Sequence, residues 1–338
     1  MNNSLSICIP IYNCGDFIKD ALDSILPQTK KEIEVIVYDG GSTDNTSVLM
    51  GDYLSQWPNL QYHCGNVRGG IDADLIKCVD FAKSEYCWLF SGDDVMRPNA
   101  LECALEWINQ KHDVYICKHT ICNKSMIVSH EHPVLEPDKS FCANLSNPIE
   151  RIMWFERAVT SEAFFSFISG LIIRRDKWLS GQLHDDFNRS CWGHVARLFG
   201  AASTELKVCY VNQIWLDQRG DNDSFADQGI VNRYRIGIEG YHNLANHFFG
   251  SESIEAFHIR RVIKNEFKLQ SFLSAKIQTL RHPNKESKDV LDKLVSMAYQ
   301  DKSLTNFTVR FLYKKLPYSF FLIARFFYRF FLKNNYKN

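Results

Sequence analysis

The chain reads as an α/β fold, a mostly parallel sheet flanked by helices, with a helical carboxyl-terminal extension. Three observations predict this. Short apolar runs ending in polar, Gly- and Asp-bearing loops alternate with helical patterns as far as Asp94. Apolar positions recur at helical spacing from Val231 to Phe249 and from Ile254 to Ile277, and Arg281-His282-Pro283-Asn284 marks a break. Finally, 338 residues with 45% hydrophobic content suffice for a full domain plus an appendage.

The first run, Ser6-Ile7-Cys8-Ile9-Pro10-Ile11-Tyr12-Asn13, is a strand stopped by proline, and a helical pattern follows from Phe17 to Ile25. A second run, Ile33 to Tyr38, ends in Asp39-Gly40-Gly41-Ser42-Thr43-Asp44-Asn45-Thr46. Glycine there permits a tight turn and close backbone approach to a ligand, and Ser42 or Asp44 can cap the next helix. The loop Asn66-Val67-Arg68-Gly69-Gly70-Ile71-Asp72-Ala73-Asp74 leads into another helical pattern, whose unpaired N–H groups suit phosphate or sugar oxygens.

Tyr86 to Phe90 is a buried strand, and Ser91-Gly92-Asp93-Asp94 emerges at its carboxyl end, where open α/β sheets bind ligands. Adjacent carboxylates repel and are costly to desolvate unless a cation or several donors offset them, and hard oxygen ligands suit Mg2+ or Mn2+. A solvated loop with Asp as a helix cap is the plainer alternative. Beyond it come a strand-like Asp113 to Cys117, a polar insertion or hairpin to Pro148, and an amphipathic helix from Ile149 to Val159. The apolar run Phe164 to Ile173 closes with Arg174-Arg175-Asp176-Lys177-Trp178.

The opening Ile-Pro-x-Tyr-Asn, the Asp-Gly-Gly-Ser-Thr-Asp loop and the Asp pair, in this order and spacing, resemble the family 2 glycosyltransferases. That resemblance implies the GT-A fold, a Rossmann-like nucleotide-sugar-binding domain. It implies that Ile9, Pro10 and Tyr12 help form the nucleotide pocket, that Asp39 contacts the base, and that Arg68 and Asp72 contact the donor. Asp93 and Asp94 would hold a divalent ion, Mg2+ or Mn2+, bridging the donor's phosphates. The chain departs from the family where Gly40 replaces a second Asp and Ser91 an acidic residue. Gly170 would lie beside the transferred sugar.

Inverting transfer needs a general base near the acceptor hydroxyl. The family places an acidic residue at the head of a helix where this chain has Gly193-His194. His194 can serve, with an imidazole's near-neutral titration, and so can Asp185 or Asp186 a few residues earlier. Farther on, Arg219, Asp221 and Ser224 fall at the three positions of an Arg-x-His-x-x-Ser-like element that closes over metal and diphosphate. Arg219 would neutralise the leaving group, Ser224 would bind the donor, and Asp221 would be a further metal ligand or loop anchor.

The spelling Arg-Gly-Asp-Asn-Asp-Ser-Phe, the Tyr-Cys-Trp before the Asp pair and the Ser-Gly-Leu-Ile-Ile-Arg-Arg-Asp-Lys-Trp segment most resemble the abequosyltransferase-like subgroup. This implies transfer of a 3,6-dideoxyhexose from a CDP-activated donor to a polyprenyl-diphosphate-linked O-antigen oligosaccharide.

Formal net charge is zero, and the eleven cysteines include no Cys-x-x-Cys pair, which suggests a reducing cytoplasm and neither a disulfide framework nor a structural zinc site. No secretory signal opens the chain, and no apolar run approaches the roughly 20 residues that span a bilayer. Residues 307–338 hold seven Lys or Arg, no Asp or Glu, and twelve aromatic residues. Such a tail suits an anionic membrane surface, so the protein is expected in the cytoplasm, peripheral on the inner face of the membrane. A terminal helix packed on the domain, its basic side chains reaching solvent, is the alternative. The organisation expected is a catalytic domain over 1–228, a helical region over 229–306 and this tail.

A nucleotidyltransferase of similar fold would need a Gly-rich basic amino-terminal loop, which Ile9-Pro10-Ile11-Tyr12-Asn13 is not. A non-catalytic relative would fit the Gly40, Ser91 and His194 departures but not Asp39, Asp93, Asp94, Arg219 and Asp221. No nucleic-acid partner is expected, since the part before the tail is net acidic and lacks recognition motifs.

Overall fold

The computed structural model describes residues 5–182, 184–222, 225, 228–281 and 287–315. The chain divides into two compact units, Met1–Asn222 and Asp223–Asn338. The first contains, in order, β1 (Leu5–Ile11), α1 (Ile18–Ile25), β2 (Glu34–Asp39), α2 (Thr46–Gln56), β3 (Leu60–Cys64), α3 (Ile71–Phe81), β4 (Tyr86–Leu89), β5 (Val95–Met96) and α4 (Ala100–Ile108). There follow β6 (Val114–Cys122), β7 (Val128–Glu131), β8 (Phe141–Asn144), α5 (Pro148–Arg157), β9 (Leu171–Arg174), α6 (Arg175–Ser180), α7 (Gly193–Ala201) and β10 (Lys207–Arg219).

All seven residues of β1 are buried, as expected of a strand covered on both faces in a parallel α/β sheet. Apolar Ile18, Ala21, Leu22 and Ile25 give α1 one buried stripe. Asn147 caps α5 through its side chain, which accepts from the N–H groups of Ile149 and Glu150, with Pro148 at the first helical position.

The strands form one sheet in the order β3-β2-β1-β4-β9-β6-β10-β5, with β7 on β6 and β8 on β10. It is mixed where a mostly parallel sheet is expected from the sequence. Strands β3, β2, β1 and β4 run parallel, and so do β6 and β10, but β9 is antiparallel to both β4 and β6. A fully buried apolar run such as Leu171–Ile173 carries no mark of its direction, so periodicity does not reveal this. Because β2, β1 and β4 are mutually parallel, all three deliver their carboxyl ends to the same edge.

The cysteine expectation needs one correction. Cys142 and Cys209 are direct cross-strand partners in the antiparallel β8–β10 pair and are joined as a disulfide. Sequence separation hides this pairing.

The second unit is helical, as expected: α8 (Ile230–Phe249), α9 (Ile254–Glu266), α10 (Leu269–Arg281), α11 (Lys288–Ala298) and α12 (Leu304–Lys315). Ile238, Tyr241, Leu244, Ile259, Phe272 and Leu294 are buried within it. Most of the expected break at 281–284 lies outside the described residues. Residue 307 is not a structural boundary, because α12 runs through it. Tyr313 is 1% exposed, its hydroxyl donates to Asp292 at 2.9 Å, and its carbonyl accepts from Lys276 Nζ. The remainder of the basic aromatic tail, 316–338, lies outside the described residues. Among the described residues no helix is long and apolar enough to cross a membrane.

Candidate active site

The register of β1 against β2 sets Ile11 beside Asp39, so the two following loops start side by side. They are laced together. Asn13 N–H donates to Ser42 Oγ at 2.8 Å, Thr43 N–H donates to Asn13 Oδ1 at 2.8 Å, and Gly15 N–H donates to Asp44 Oδ2 at 3.0 Å. Asp39 is 1% exposed, and a buried carboxylate needs donors. It receives one from Ser42 N–H on Oδ1 and one from the Tyr62 hydroxyl on Oδ2, each at 2.7 Å.

Pro10 is buried in β1, whereas Tyr12 is half-buried beyond its end, and the Arg68 guanidinium lies over the Tyr12 ring at 4.1 Å from its centroid. Gly40 faces α3. A Cβ there would come within 2.6 Å of Asp74 Oδ2, so the carboxylate of Asp74 fills the space that a side chain at position 40 would need. Burial, and then the nearby Asp39, push the Asp74 carboxyl up to about 6.

Asp72 lies two residues earlier on α3 and has a different task. Its Oδ1 accepts from Gly193 N–H at 2.9 Å and its Oδ2 from Cys191 N–H at 3.0 Å, so it caps the amino-terminal end of α7 from outside. A Cβ at Gly193 would lie 3.0 Å from Asp72 Oδ1. The sequence expectation assigns Asp72 to the donor, but both its oxygens are taken by α7 and it is 4% exposed.

The Asp pair splits into an inner and an outer carboxylate. Asp94 is 2% exposed, accepting from the Ser169 hydroxyl on Oδ2 and from Arg219 N–H, at 2.9 Å, on Oδ1. Asp93 is half-buried; the Ser91 hydroxyl donates to its Oδ1, and Asn222 Nδ2 donates to its Oδ2 at 2.8 Å. Burial, and then the charge of Asp93, push the Asp94 carboxyl well above the usual carboxylate range. Ser169 also accepts from Ser91 N–H at 2.8 Å, tying this loop to the turn before β9.

Arg219 ends β10 against this pair and is 8% exposed. Nε donates to Asp93 O at 2.8 Å, Nη1 to Lys124 O at 2.6 Å and Nη2 to Asp20 Oδ2 at 2.7 Å. Asp221, exposed and at φ 55°, follows in a left-handed turn. Ser224 lies outside the described residues.

The two base candidates differ sharply in setting. His194 is 3% exposed on α7, with Nε2 at 3.0 Å from the Phe165 carbonyl, and burial pushes its ring down to about 4. Asp185 and Asp186 are exposed in a 3-10 turn, Asp185–Phe187. Gly170 is buried beneath Phe167, so it does not lie open beside a ligand space.

Residues 6–162 match the family described as glycosyl transferase family 2. Abequosyltransferase RfbV of Salmonella typhimurium is 26% identical over 326 residues, covering 93% of this chain and 95% of its own. Residues 6–162 therefore carry a family 2 glycosyltransferase domain. Among solved structures, this glycosyltransferase is similar to S. aureus TarS 1–349 in complex with UDP-GlcNAc, with a TM-score of 0.58 at 15% identity and 92% of each chain covered. Mannosyltransferase PcManGT from Pyrobaculum calidifontis, in complex with GDP-Man and Mn2+, gives a TM-score of 0.52 at 14% identity, with 96% of this chain and 86% of that one covered. These likenesses establish the GT-A fold of the glycosyltransferase.

Four residues around the Asp pair are absent from the sequence expectation: Asp20, Ser169, Asn222 and, beside Gly40, Asp74. Asp20 meets Arg219 from 199 positions away, and nothing in the sequence connects them. Asn222 had the better signal, since it lies inside the polar run that follows Arg219.

Proposed function

We propose that this glycosyltransferase moves a 3,6-dideoxyhexose of the abequose type, with inversion, from a CDP-activated donor to a polyprenyl-diphosphate-linked O-antigen oligosaccharide. The observation that carries the sugar is the likeness to the Salmonella abequosyltransferase, which extends over nearly the whole of both chains. The family domain alone would leave donor and acceptor open.

In this reading Tyr12 and Arg68 flank the nucleotide base, and Asp39, buried and held by Ser42 N–H and the Tyr62 hydroxyl, lies beside it and shapes the loop. Arg219, Asn222 and Ser91 hold Asp93 in place. The donor set fits a hard divalent ion: two adjacent carboxylates, one of them buried, gain from a cation. Asp93 would hold Mg2+ or Mn2+ directly, Asp94 would brace the loop from inside, and Asp221, next to the Asn222 that donates to Asp93, would be a further oxygen donor. When bound, the ion supplies charge stabilisation to the departing diphosphate.

Attack by the acceptor hydroxyl on the anomeric carbon requires a base with access to solvent-side substrate. Asp185 and Asp186, being exposed carboxylates, suit that task better than His194, which is buried and held neutral. The basic aromatic tail would keep the enzyme at the anionic membrane surface where a polyprenyl-linked acceptor resides.

The test is transfer from CDP-abequose to a polyprenyl-diphosphate oligosaccharide by the full chain, with product anomeric configuration read by NMR. Turnover with inversion supports the reading. Turnover only with UDP-, GDP- or dTDP-sugars keeps the transferase and discards the dideoxyhexose.

A further inference from the structure

Besides the residues assigned to the donor, three ligand-bearing side chains from separate segments converge in the first unit. His119 lies on β6, His132 one residue past β7, and Glu162 in the 3-10 turn Ser161–Phe164. The segments are stitched by backbone: His132 N–H donates to His119 O at 2.9 Å, and Val159 N–H donates to Val134 O at 2.9 Å. The Thr160 hydroxyl adds a bond to Pro133 O at 2.7 Å. One ligand atom from each of His119, His132 and Glu162 lies within 4.8 Å of the other two.

His119 is the informative member. It is fully buried, its ring stacked 4.8 Å from that of His132 and tilted against that of Phe167 at 4.3 Å. Gln218 approaches it from β10, yet neither ring nitrogen makes a hydrogen bond of acceptable geometry. Buried polar atoms without partners are uncommon and costly, so an unpartnered imidazole aimed at a second imidazole and a carboxylate asks for an explanation. The ion pair of His132 Nε2 with Glu162 Oε2, at 3.0 Å, accounts for those two residues and not for His119.

We propose that His119, His132 and Glu162 together bind one divalent transition-metal ion, for which zinc is the appropriate probe. Two imidazole nitrogens and a carboxylate oxygen form a donor set that zinc favours, with a fourth position left for water or a ligand. The oxygen-only Asp93–Asp94 pair suits Mg2+ or Mn2+ instead, so the two sites differ in chemistry and the proposal does not depend on the donor reading. The ion would staple β6, the β7 exit and the turn that leads to Ser169.

The experiment uses the full chain, loaded with ZnCl2, dialysed and assayed for bound zinc by mass spectrometry, with affinity from a competing chelator. The same measurement is made on His119→Phe, which keeps the ring packing, on Glu162→Gln, which keeps the side-chain shape, and on Cys142→Ser. Cobalt substitution gives a second readout through its d–d absorption. One equivalent of zinc is expected in the wild type and in Cys142→Ser, with at least tenfold weaker binding in His119→Phe and Glu162→Gln. Glu162→Gln keeps the test valid if His119→Phe does not fold. No bound zinc in the wild type overturns the proposal, as does undiminished binding in either ligand variant. So does loss in Cys142→Ser alone, which would place the ion at the other cluster, His112 with Cys142 and Cys209 after reduction of their disulfide.

Discussion

Gly40 and Asp74 share one volume: a Cβ on Gly40 would stand 2.6 Å from Asp74 Oδ2, in a pocket where Asp74 itself is only 5% exposed. A side chain at one position therefore excludes the present carboxylate at the other. Gly40→Ala should destabilise the protein by about 1–3 kcal/mol through overpacking. In an Asp74→Ala background most of that cost should vanish, and a double-mutant cycle by denaturant unfolding measures the coupling.

Asp74 also makes a pH-dependent prediction. Burial and Asp39 raise its folded-state carboxyl to about 6, above its ordinary value, so the folded protein holds this proton more tightly than the unfolded chain. The stabilising effect of that proton is complete below the ordinary carboxylate range and is lost as pH rises through about 6. Asp74→Asn should accordingly gain on the order of 1–2 kcal/mol at pH 7.5, by analogy with a shift of this kind, and nothing below about pH 3. Thermal melts across pH check both limbs.

The two members of the Asp pair should behave differently on truncation. Asp94→Ala strands Arg219 N–H and the Ser169 hydroxyl in the interior and should cost about 2–5 kcal/mol. Asp93→Ala should cost little stability and remove metal-dependent nucleotide binding. Because burial and Asp93 raise the Asp94 carboxyl, a bound divalent ion competes with a proton at the pair. The melting-temperature rise given by Mn2+ with CDP should be larger at pH 8 than at pH 6, and a rise that shrinks with pH would contradict this.

Much of the fold was legible because its strands are short apolar runs with Asp-bearing loops at their ends, and Asp39 and Asp93 stand at those ends as expected. The site's cross-braces were not legible. Asp94 is held by Ser169 and Arg219, α7 is capped by Asp72, and Arg219 is held by Asp20; each pairing joins residues 75 or more positions apart. Periodicity reports which face of an element is buried and not which distant polar group meets it. For the same reason His194, polar at the head of a helix, looks available in sequence and proves to point inward.

His194 gives a discriminating mutant. His194→Gln should lower stability by about 1–3 kcal/mol, since a buried ring packed against the Phe165 carbonyl is replaced. The acid limb of the pH–rate profile should stay where it is. Asp185→Asn or Asp186→Asn should instead lower kcat about 10²-fold or more if that residue is the base. An acid limb displaced by the His194 change would return the base to the histidine.

Deletion of 316–338 leaves α12 and its buried Tyr313 intact, which removal from residue 307 would not. The truncated protein should fold, bind nucleotide as the full chain does, and no longer sediment with anionic liposomes. Sedimentation unchanged by truncation would show that this tail is not the anchor.

The most direct measurement is calorimetric titration of CDP, UDP, GDP and dTDP into the full chain with and without Mn2+, repeated on Asp93→Asn. The account predicts CDP binding that is tightest of the four, that weakens at least tenfold without the ion, and that loses its metal dependence in the mutant. Equal affinity for all four, or CDP binding that Asp93→Asn leaves unchanged, would contradict it.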